Sequence, residues 1–380
     1  MNPTTPDSKP VTPCLLLDVD RMTSNIRNLE THLAQLGVAS RPHVKTCKSI
    51  EVAKRMMASD SRGITVSTLA EAAYFFDHGI CDQLYAVGVA PGKLERVAEL
   101  YRKGLMLKLT LDNSASARRL GEAARRLECR FSVLLEIDAD RQRGGFAPDD
   151  PDLIEAAELL AKAGCRVLGV MTHMGASYDC RDAECLERAA ERERLAVVNA
   201  AEQLRRAGFE SSIVSVGSTP TATFARNLDG VTEVRAGTHV FMDLVMAGLG
   251  VCKKDDIAIS VLTEVIGFRA HGDEWLVDAG WMALSRDRGT ASQDVDYGYG
   301  IVCDESGRVL DDIIVRATSQ EHGILARREG KAIGRDRFEV GRRLRILPNH
   351  ACATAAQHAG YWLIGEGVTD DRFWSRMHGW

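Results

Sequence analysis

Val167-Leu-Gly-Val-Met-Thr-His173, the long run Glu184–Ala207, and Ile213-Val-Ser-Val216 followed by Gly217-Ser-Thr-Pro220 read as one strand–helix–strand unit. The two outer runs are short and apolar, as a strand buried on both faces must be. The middle run repeats apolar residues at three- and four-residue spacing, which is the period of an amphipathic helix. The same alternation extends in both directions. Upstream strands are expected at Val38–Val44, Ile64–Ser67, Leu84–Val89, Met106–Leu111 and Phe131–Ile137, and one downstream at Val231–Arg235. Helices are expected between them at Ser49–Ser59, Leu69–His78, Leu94–Lys103, Ser114–Leu127 and Asp152–Ala163, with an extra one, Met22–Leu36, in front. Gly79, Gly104, Gly164 and Gly208 stand where a left-handed residue would stop a helix. Eight β-α units in about 200 residues match a parallel (β/α)8 TIM barrel. A doubly wound sheet is the alternative.

The texture changes after Gly250. Ala258–Phe268, Glu274–Asp278, Gly300–Cys303, Ile313–Ser319, Arg343–Leu347 and Tyr361–Gly365 are short strand-like runs broken by Gly, Asp and Arg. The expectation is a barrel over residues 20–250 and a β-rich domain over 251–380, joined by the N-terminal segment 1–19 through the apolar run Cys14–Leu17. At 380 residues the chain is too long for one ordinary core.

Lys plus Arg (48) nearly balances Asp plus Glu (53), for a net charge of −5. No basic surface for nucleic acid is implied. Met1–Lys9 is polar, and no run approaches the roughly 18 apolar residues of a membrane span. The chain therefore reads as soluble and cytoplasmic. Ten scattered cysteines give no disulfide framework, and most read as small buried hydrophobes.

In such a barrel, catalytic groups gather where strands end. Lys45 ends the first strand, Arg143 follows the fifth, and His173 and Tyr178 follow the sixth. Gly217, Ser218 and Thr219 follow the seventh, and Gly237 and Thr238 the eighth. Backbone N–H groups and hydroxyls after the seventh and eighth strands suit a phosphate, although the same tripeptide also makes ordinary turns. A lysine held by apolar walls can lose its proton and form a Schiff base with an aldehyde; otherwise it is a snorkelling surface residue. Phosphate site and lysine together describe pyridoxal 5'-phosphate. In Pro348-Asn-His-Ala-Cys-Ala353, extended chain would turn His350 and Cys352 to one side as an open metal pair, or simply pack them. Glu321 and His322 in Ser319-Gln-Glu-His-Gly323 are candidates to orient a ligand, or form a polar turn.

On Pro42-His-Val-Lys-Thr46, Arg143-Gly-Gly145, Gly175-Ala-Ser-Tyr178, Gly217-Ser-Thr-Pro220, Arg235-Ala-Gly-Thr238, Val277-Asp-Ala-Gly280, Ser319–Gly323 and Asn349-His-Ala-Cys352, the chain resembles the D-serine dehydratase and D-threonine aldolase family from about Pro13 to Gly367. These are fold-type III pyridoxal-phosphate enzymes with an alanine-racemase-like barrel. The resemblance implies that Lys45 carries the cofactor and removes the α-proton, that Arg143 lies near the pyridine nitrogen, and that Tyr178, with His173 at the rim, lines the pocket. Ser218, Thr219, Gly237 and Thr238, with Gly217, would hold the phosphate, and His350 with Cys352 a divalent metal. The family's aldolases place an aspartate where this chain has Cys352. A thiolate selects zinc, whereas a histidine–carboxylate pair suits manganese or magnesium. Cys47 stands where relatives often have histidine, so no role passes to it. The implied activity is dehydration of a D-3-hydroxy amino acid, 3-hydroxyaspartate or D-serine, to an oxo acid and ammonia. Arg141 is the candidate cation for a second substrate carboxylate. In this family the β domain of one subunit covers the barrel of the other, which implies a homodimer. The rivals are a retro-aldol enzyme, a racemase using Tyr297 or Tyr299 as second acid/base, and a cofactor-binding protein without turnover.

Overall fold

The computed structural model describes residues 10–57, 61–269, 271, 273–366, 368 and 372–380. The polar N-terminal run Met1–Lys9, the expected helix end at Ser59 and the far limit of the resemblance at Gly367 lie outside them. The described residues form two compact units, one within 28–237 with 379–380, the other of 10–27 with those within 238–378.

In the first unit, eight strands alternate with helices: β2 (Ala39–Ser40), β3 (Ile64–Val66), β4 (Asp82–Gly88), β5 (Met106–Leu111), β6 (Ser132–Ile137), β7 (Arg166–Thr172), β8 (Ile213–Val216) and β9 (Glu233–Val234). The intervening helices are α2 (Ile50–Met56), α3 (Leu69–Asp77), α4 (Leu94–Arg102), α5 (Ser114–Leu127), α6 (Asp152–Lys162), α7 (Ala183–Arg206) and α8 (Thr219–Phe224); α1 (Val19–Gln35) precedes them. All strand pairs are parallel, in the order β2-β9-β8-β7-β6-β5-β4-β3. The sheet closes where His43 bridges Thr65, with Thr65 N–H donating to Pro42 O (2.8 Å) and Val44 N–H to Thr65 O (3.0 Å). This is the expected (β/α)8 barrel. The four helix-stopping glycines all have positive φ.

Side chains alternate across each strand, so every second residue enters the barrel. Leu84, Leu134, Leu168, Met171 and Ile213 form one buried cluster. The pairing of β6 with β7 shifts register between Val133 and Leu134, which sets Gly169 opposite Leu134. Gly169 lies at φ +144°, and a Cβ there would stand 1.9 Å from the Ile213 carbonyl oxygen on β8.

The second unit is a nine-stranded sheet in the order β11-β14-β13-β12-β15-β10-β1-β16-β17. Its strands are β1 (Cys14–Asp18), β10 (Ile259–Arg269), β11 (Glu274–Val277), β12 (Ile301–Asp304), β13 (Val309–Thr318), β14 (Gly323–Arg327), β15 (Arg343–Leu347), β16 (Gly360–Ile364) and β17 (Phe373–Ser375). β10 is long enough to pair with β15 and β1 over its first part and with β11 over its end, which closes six strands into a small barrel. Val261, Val265, Val277, Val302, Val315, Leu325 and Ile346 are buried at its centre. The apolar run at Cys14–Leu17 pairs antiparallel with β10, and β1 is parallel to β16. Short helices α9 (Leu244–Gly248), α10 (Trp281–Leu284) and α11 (Ala351–Ala355) interrupt the strands. Among the described residues no helix is long and apolar enough to cross a membrane.

Gly169→Ala combines a disfavoured φ with an overlap between neighbouring strands, each costing about 1–3 kcal/mol. Urea unfolding should place the variant roughly 2–6 kcal/mol below the parent; an unchanged midpoint would mean that β7 and β8 separate freely at this point.

Candidate active site

The alternation that fills the barrel also builds its mouth. Arg41, His43 and Lys45 are successive alternate residues of one segment, Ser215 and Gly217 of another, and Glu233, Arg235 and Gly237 of a third. The deeper members are charged and buried. Arg41 donates from Nε to Glu233 Oε2 (2.8 Å) and from Nη1 to Asp82 Oδ1 (2.5 Å), which also accepts from Lys108 Nζ (2.7 Å). Ser215 Oγ donates to Glu233 Oε1 (2.8 Å), while Arg235 donates to Ser215 Oγ and to the Thr172 carbonyl, both at 2.6 Å. One network therefore ties six strands together, directly beneath the residues that follow β7, β8 and β9.

Above it sit Lys45, His43 and His173. Lys45 lies in the turn after His43, exposed, with its N–H directed at His43 Nδ1 (3.5 Å). Its charge is felt by two imidazoles, as is that of Arg235. Polar groups enter here because the barrel floor carries a buried arginine, which apolar neighbours would leave uncompensated. Burial, then the charges of Lys45 and Arg235, pushes His43 well below the usual imidazole range. His173 is pushed down to about 4, by burial first and then by Arg143. Its Nδ1–H donates to the Gly217 carbonyl (2.7 Å), which leaves Nε2 as an acceptor. Glu136, on β6, is raised to about 7 by burial, against the pull of Arg235.

The segment after β8 is held from below by Glu193 of α7. This fully buried carboxylate accepts from Met174 N–H (3.0 Å) and Gly217 N–H (3.3 Å), and burial raises its pKa. Gly217, expected to offer its N–H to a phosphate, thus has that group committed within the protein. Its φ of +157° and the Arg235 carbonyl oxygen, 2.2 Å from where a Cβ would lie, suit glycine alone. Ser218 caps α8, accepting from Thr221 N–H (3.2 Å), and its hydroxyl meets those of Thr221 (2.8 Å) and Ser177 (3.4 Å). Thr219 opens α8, buried; Gly237 packs on the His43 carbonyl, and Thr238, the next residue, begins the second unit. Tyr178 and Arg143 are exposed in the loops after β7 and β6. Arg141, also exposed, has φ +63° and donates its backbone N–H to Asp138 Oδ1 (2.6 Å). A buried hydroxyl cluster beside an open lysine fits pyridoxal phosphate: Ser218, Thr219 and Gly237 for the phosphate, Lys45 for the aldehyde. A disulfide joins Cys180 to Cys185 just beyond Tyr178, which corrects the expectation of unpaired cysteines. The turn Gly175–Asp179 and the start of α7 bring these two together, and the eight others form no disulfide.

In the second unit, His350 is the extended residue before α11, and Cys352 lies in its first turn. The two come together by this turn, not by alternation along a strand as expected. His350 Nδ1 donates to Asp287 Oδ2 (2.7 Å), and its side chain also bonds that of Cys352. Burial opposes its charge, but Asp287 and Cys352 outweigh it and push the imidazole up to about 11. Asn349 and Asp243 hold the backbone on either side: Asn349 Nδ2 donates to Gly298 O (2.6 Å), and Ala351 N–H donates to Asp243 Oδ2 (2.9 Å). An imidazole and a thiol in contact are an apt donor pair for zinc. Among the described residues no group of three or more His, Cys, Asp or Glu could hold a metal, so this pair leaves coordination positions open. Glu321 and His322 occupy the exposed turn between β13 and β14, where Ser319 N–H donates to the His322 carbonyl (2.8 Å). Tyr297 stacks under Lys254 (4.8 Å) and Tyr299 under Arg288 (5.5 Å).

His43, Glu136, Glu193, Arg235 and Asp287 carry no role in the sequence reading. The first and fourth were signalled by standing two residues before Lys45 and Gly237; the others had no local signal.

Residues 17–245 match the alanine racemase N-terminal domain and residues 258–364 the putative serine dehydratase domain. The chain is 50% identical to D-threo-3-hydroxyaspartate dehydratase of Delftia sp. (strain HT23) over 97% of its length and 98% of the relative's. It is 32% identical to D-serine dehydratase of Dictyostelium discoideum, covering 93% of each. The solved structure of the Delftia enzyme superposes with a TM-score of 0.95 at 49% identity, over 98% of this chain and 99% of that one; a cysteine-to-alanine mutant of that dehydratase has been solved in a metal-free form.

Unfolded imidazoles take up protons near pH 6.5, and His173 does so only near 4. The unfolded state therefore binds more protons between these values, and stability present above 6.5 is lost as pH falls towards 4. Glu136, shifted upward, acts in the opposite sense over part of the window. Comparison with His173→Asn isolates the imidazole: the stability of the parent relative to this variant should fall between pH 7 and 4 in urea titrations. A pH-independent difference would mean that His173 titrates in the fold as it does in the unfolded chain.

Proposed function

The chain belongs to the family of fold-type III pyridoxal-phosphate enzymes that contains the D-serine and D-threo-3-hydroxyaspartate dehydratases, and from that premise we propose that it dehydrates D-threo-3-hydroxyaspartate to oxaloacetate and ammonia, with D-serine as a secondary substrate giving pyruvate and ammonia. The observation that carries this reading is the His350–Cys352 donor pair in a chain that also presents Lys45 at a barrel mouth. A racemase has no use for such a pair, and the family's aldolases carry an aspartate in place of Cys352. Soft thiolate favours zinc over manganese or magnesium.

When bound, pyridoxal phosphate supplies an electron sink for a carbanion at Cα, and a divalent cation supplies Lewis acidity towards a departing hydroxide. The protein's part is to position and to move protons. Lys45 Nζ takes the proton from Cα. Ser218, Thr219, Gly237 and Thr238 hold the phosphate, with Gly217 shaping their turn and Tyr178 lining the pocket. His173 is neutral and fixed by the Gly217 carbonyl, so it stays an acceptor throughout. Arg143 keeps its own proton and so gives none to the ring nitrogen, which weakens the sink and leaves more of the driving force to the cation. His350 and Cys352 hold that cation. A homodimer and a cytoplasmic location are further parts of this proposal; family resemblance supports the first, and light scattering checks it.

Lys45→Ala should lose the absorbance of bound cofactor in its Schiff-base form, and chelation of the parent should abolish ammonia release while the cofactor band remains. Glycine and an aldehyde among the products would instead make the chain an aldolase.

Arg141 is the proposed cation for the second carboxylate of 3-hydroxyaspartate. Arg141→Ala should raise KM for that substrate at least about tenfold, on the scale of one charge-assisted hydrogen bond. D-Serine kinetics should change less than about twofold on the same measure, and equal effects on both substrates would remove Arg141 from specificity.

A further inference from the structure

We propose that Asp287 is the positioning residue of the metal site: its carboxylate engages Nδ1 of His350, so fixes the ring with Nε2 as the nitrogen left to face a metal, and thereby sets the affinity for zinc. The inference rests on the metal reading above but concerns a residue 63 positions from His350 in the chain.

A carboxylate only accepts, so Nδ1 of His350, at 2.7 Å from Asp287 Oδ2, must carry a proton. With Nδ1 committed in this way, the proton that a metal displaces is the one on Nε2, and the tautomer left behind is the form in which an imidazole binds a metal. An unrestrained ring would share its proton between the two nitrogens and turn about χ2. The contact removes both freedoms before any cation arrives.

Asp287 is itself held for this contact. Its N–H donates to Ser285 Oγ (3.1 Å). Asn349, almost wholly buried, reaches back to its carbonyl (3.5 Å) while accepting from Thr290 Oγ1 (2.7 Å). Two arginines flank Asp287 in sequence, and either could have taken its carboxylate. Arg286 instead lies over the Trp281 ring (4.2 Å), and Arg288 pairs with Asp296 (2.5 Å). Both neighbouring cations are thus engaged elsewhere, and the carboxylate meets the imidazole.

The test is zinc affinity of the cofactor-loaded, full-length protein, measured by competition with a chromophoric chelator, for the parent, Asp287→Asn, Asp287→Ala and His350→Ala. Loss of an outer carboxylate partner typically weakens metal binding about 10–100-fold. Asp287→Ala should fall in that range. Asp287→Asn, whose amide oxygen still accepts from Nδ1 without a charge, should fall between Asp287→Ala and the parent, and should lose at least about threefold. The cofactor absorbance per chain should be unchanged in both. If Asp287→Ala does not fold, the isosteric Asp287→Asn decides alone. Zinc affinity within twofold of the parent in the Asp287 variants, with His350→Ala losing zinc, overturns the positioning role and leaves the metal reading intact. Retention of zinc by His350→Ala overturns both.

Discussion

The barrel depends on a set of charges buried inside a parallel sheet. Arg41, Lys108, Glu233 and Arg235 are buried there, with the half-exposed Asp82 at one end of the set, in an interior that also holds the apolar cluster Leu84, Leu134, Leu168, Met171 and Ile213. Each must find its partner on another strand, because removing one partner of a buried pair typically costs about 3–5 kcal/mol. Strand registers that break the Arg41–Glu233 or Arg235–Ser215 contacts are therefore excluded. The same contacts set the height at which the chain turns out of β7, β8 and β9, and it is at those turns that His173, Gly217 and Gly237 sit.

This constraint explains the electrostatic character of the mouth. Burial first, and then the surrounding cations, keep both imidazoles neutral, and a neutral imidazole can donate to a carbonyl at one nitrogen while accepting at the other. Glu193 completes the arrangement from the helix side. Its oxygen takes the N–H groups of Met174 and Gly217 together, so the segments after β7 and β8 share one anchor. The Cys180–Cys185 bond closes the segment that follows, between Tyr178 and the body of α7.

The β unit solves a different problem with similar means. Its closed six-stranded core leaves the loops around residues 285–300 and 348–356 to be ordered by polar contacts. On one side of His350 the buried side chain of Asn349 donates to the Gly298 carbonyl, and on the other the buried Asp243 accepts from Ala351 N–H, so that a donor pair of only two side chains is held by its neighbours.

Sequence alone was enough for the strand–helix alternation, the helix stops and the change of texture after Gly250, because these follow from periodicities of two and 3.6 residues and from glycine's freedom at positive φ. It also placed Lys45, His173, Ser218 and Gly237 where strands end, since position along a strand is a local property. Tertiary structure decided what surrounds them. The contacts Arg41 to Glu233, Glu193 to Gly217 and Asp287 to His350 span 192, 24 and 63 residues. No local pattern records which distant carboxylate will meet a given cation or imidazole, because the choice is made by the path of the folded backbone and by the cost of leaving a buried charge without a partner. For the same reason the imidazoles of His43 and His173, on which the charge of Lys45 acts, come from two segments far apart in the chain: a single strand shows which residues alternate, but not what the other seven bring to the same height.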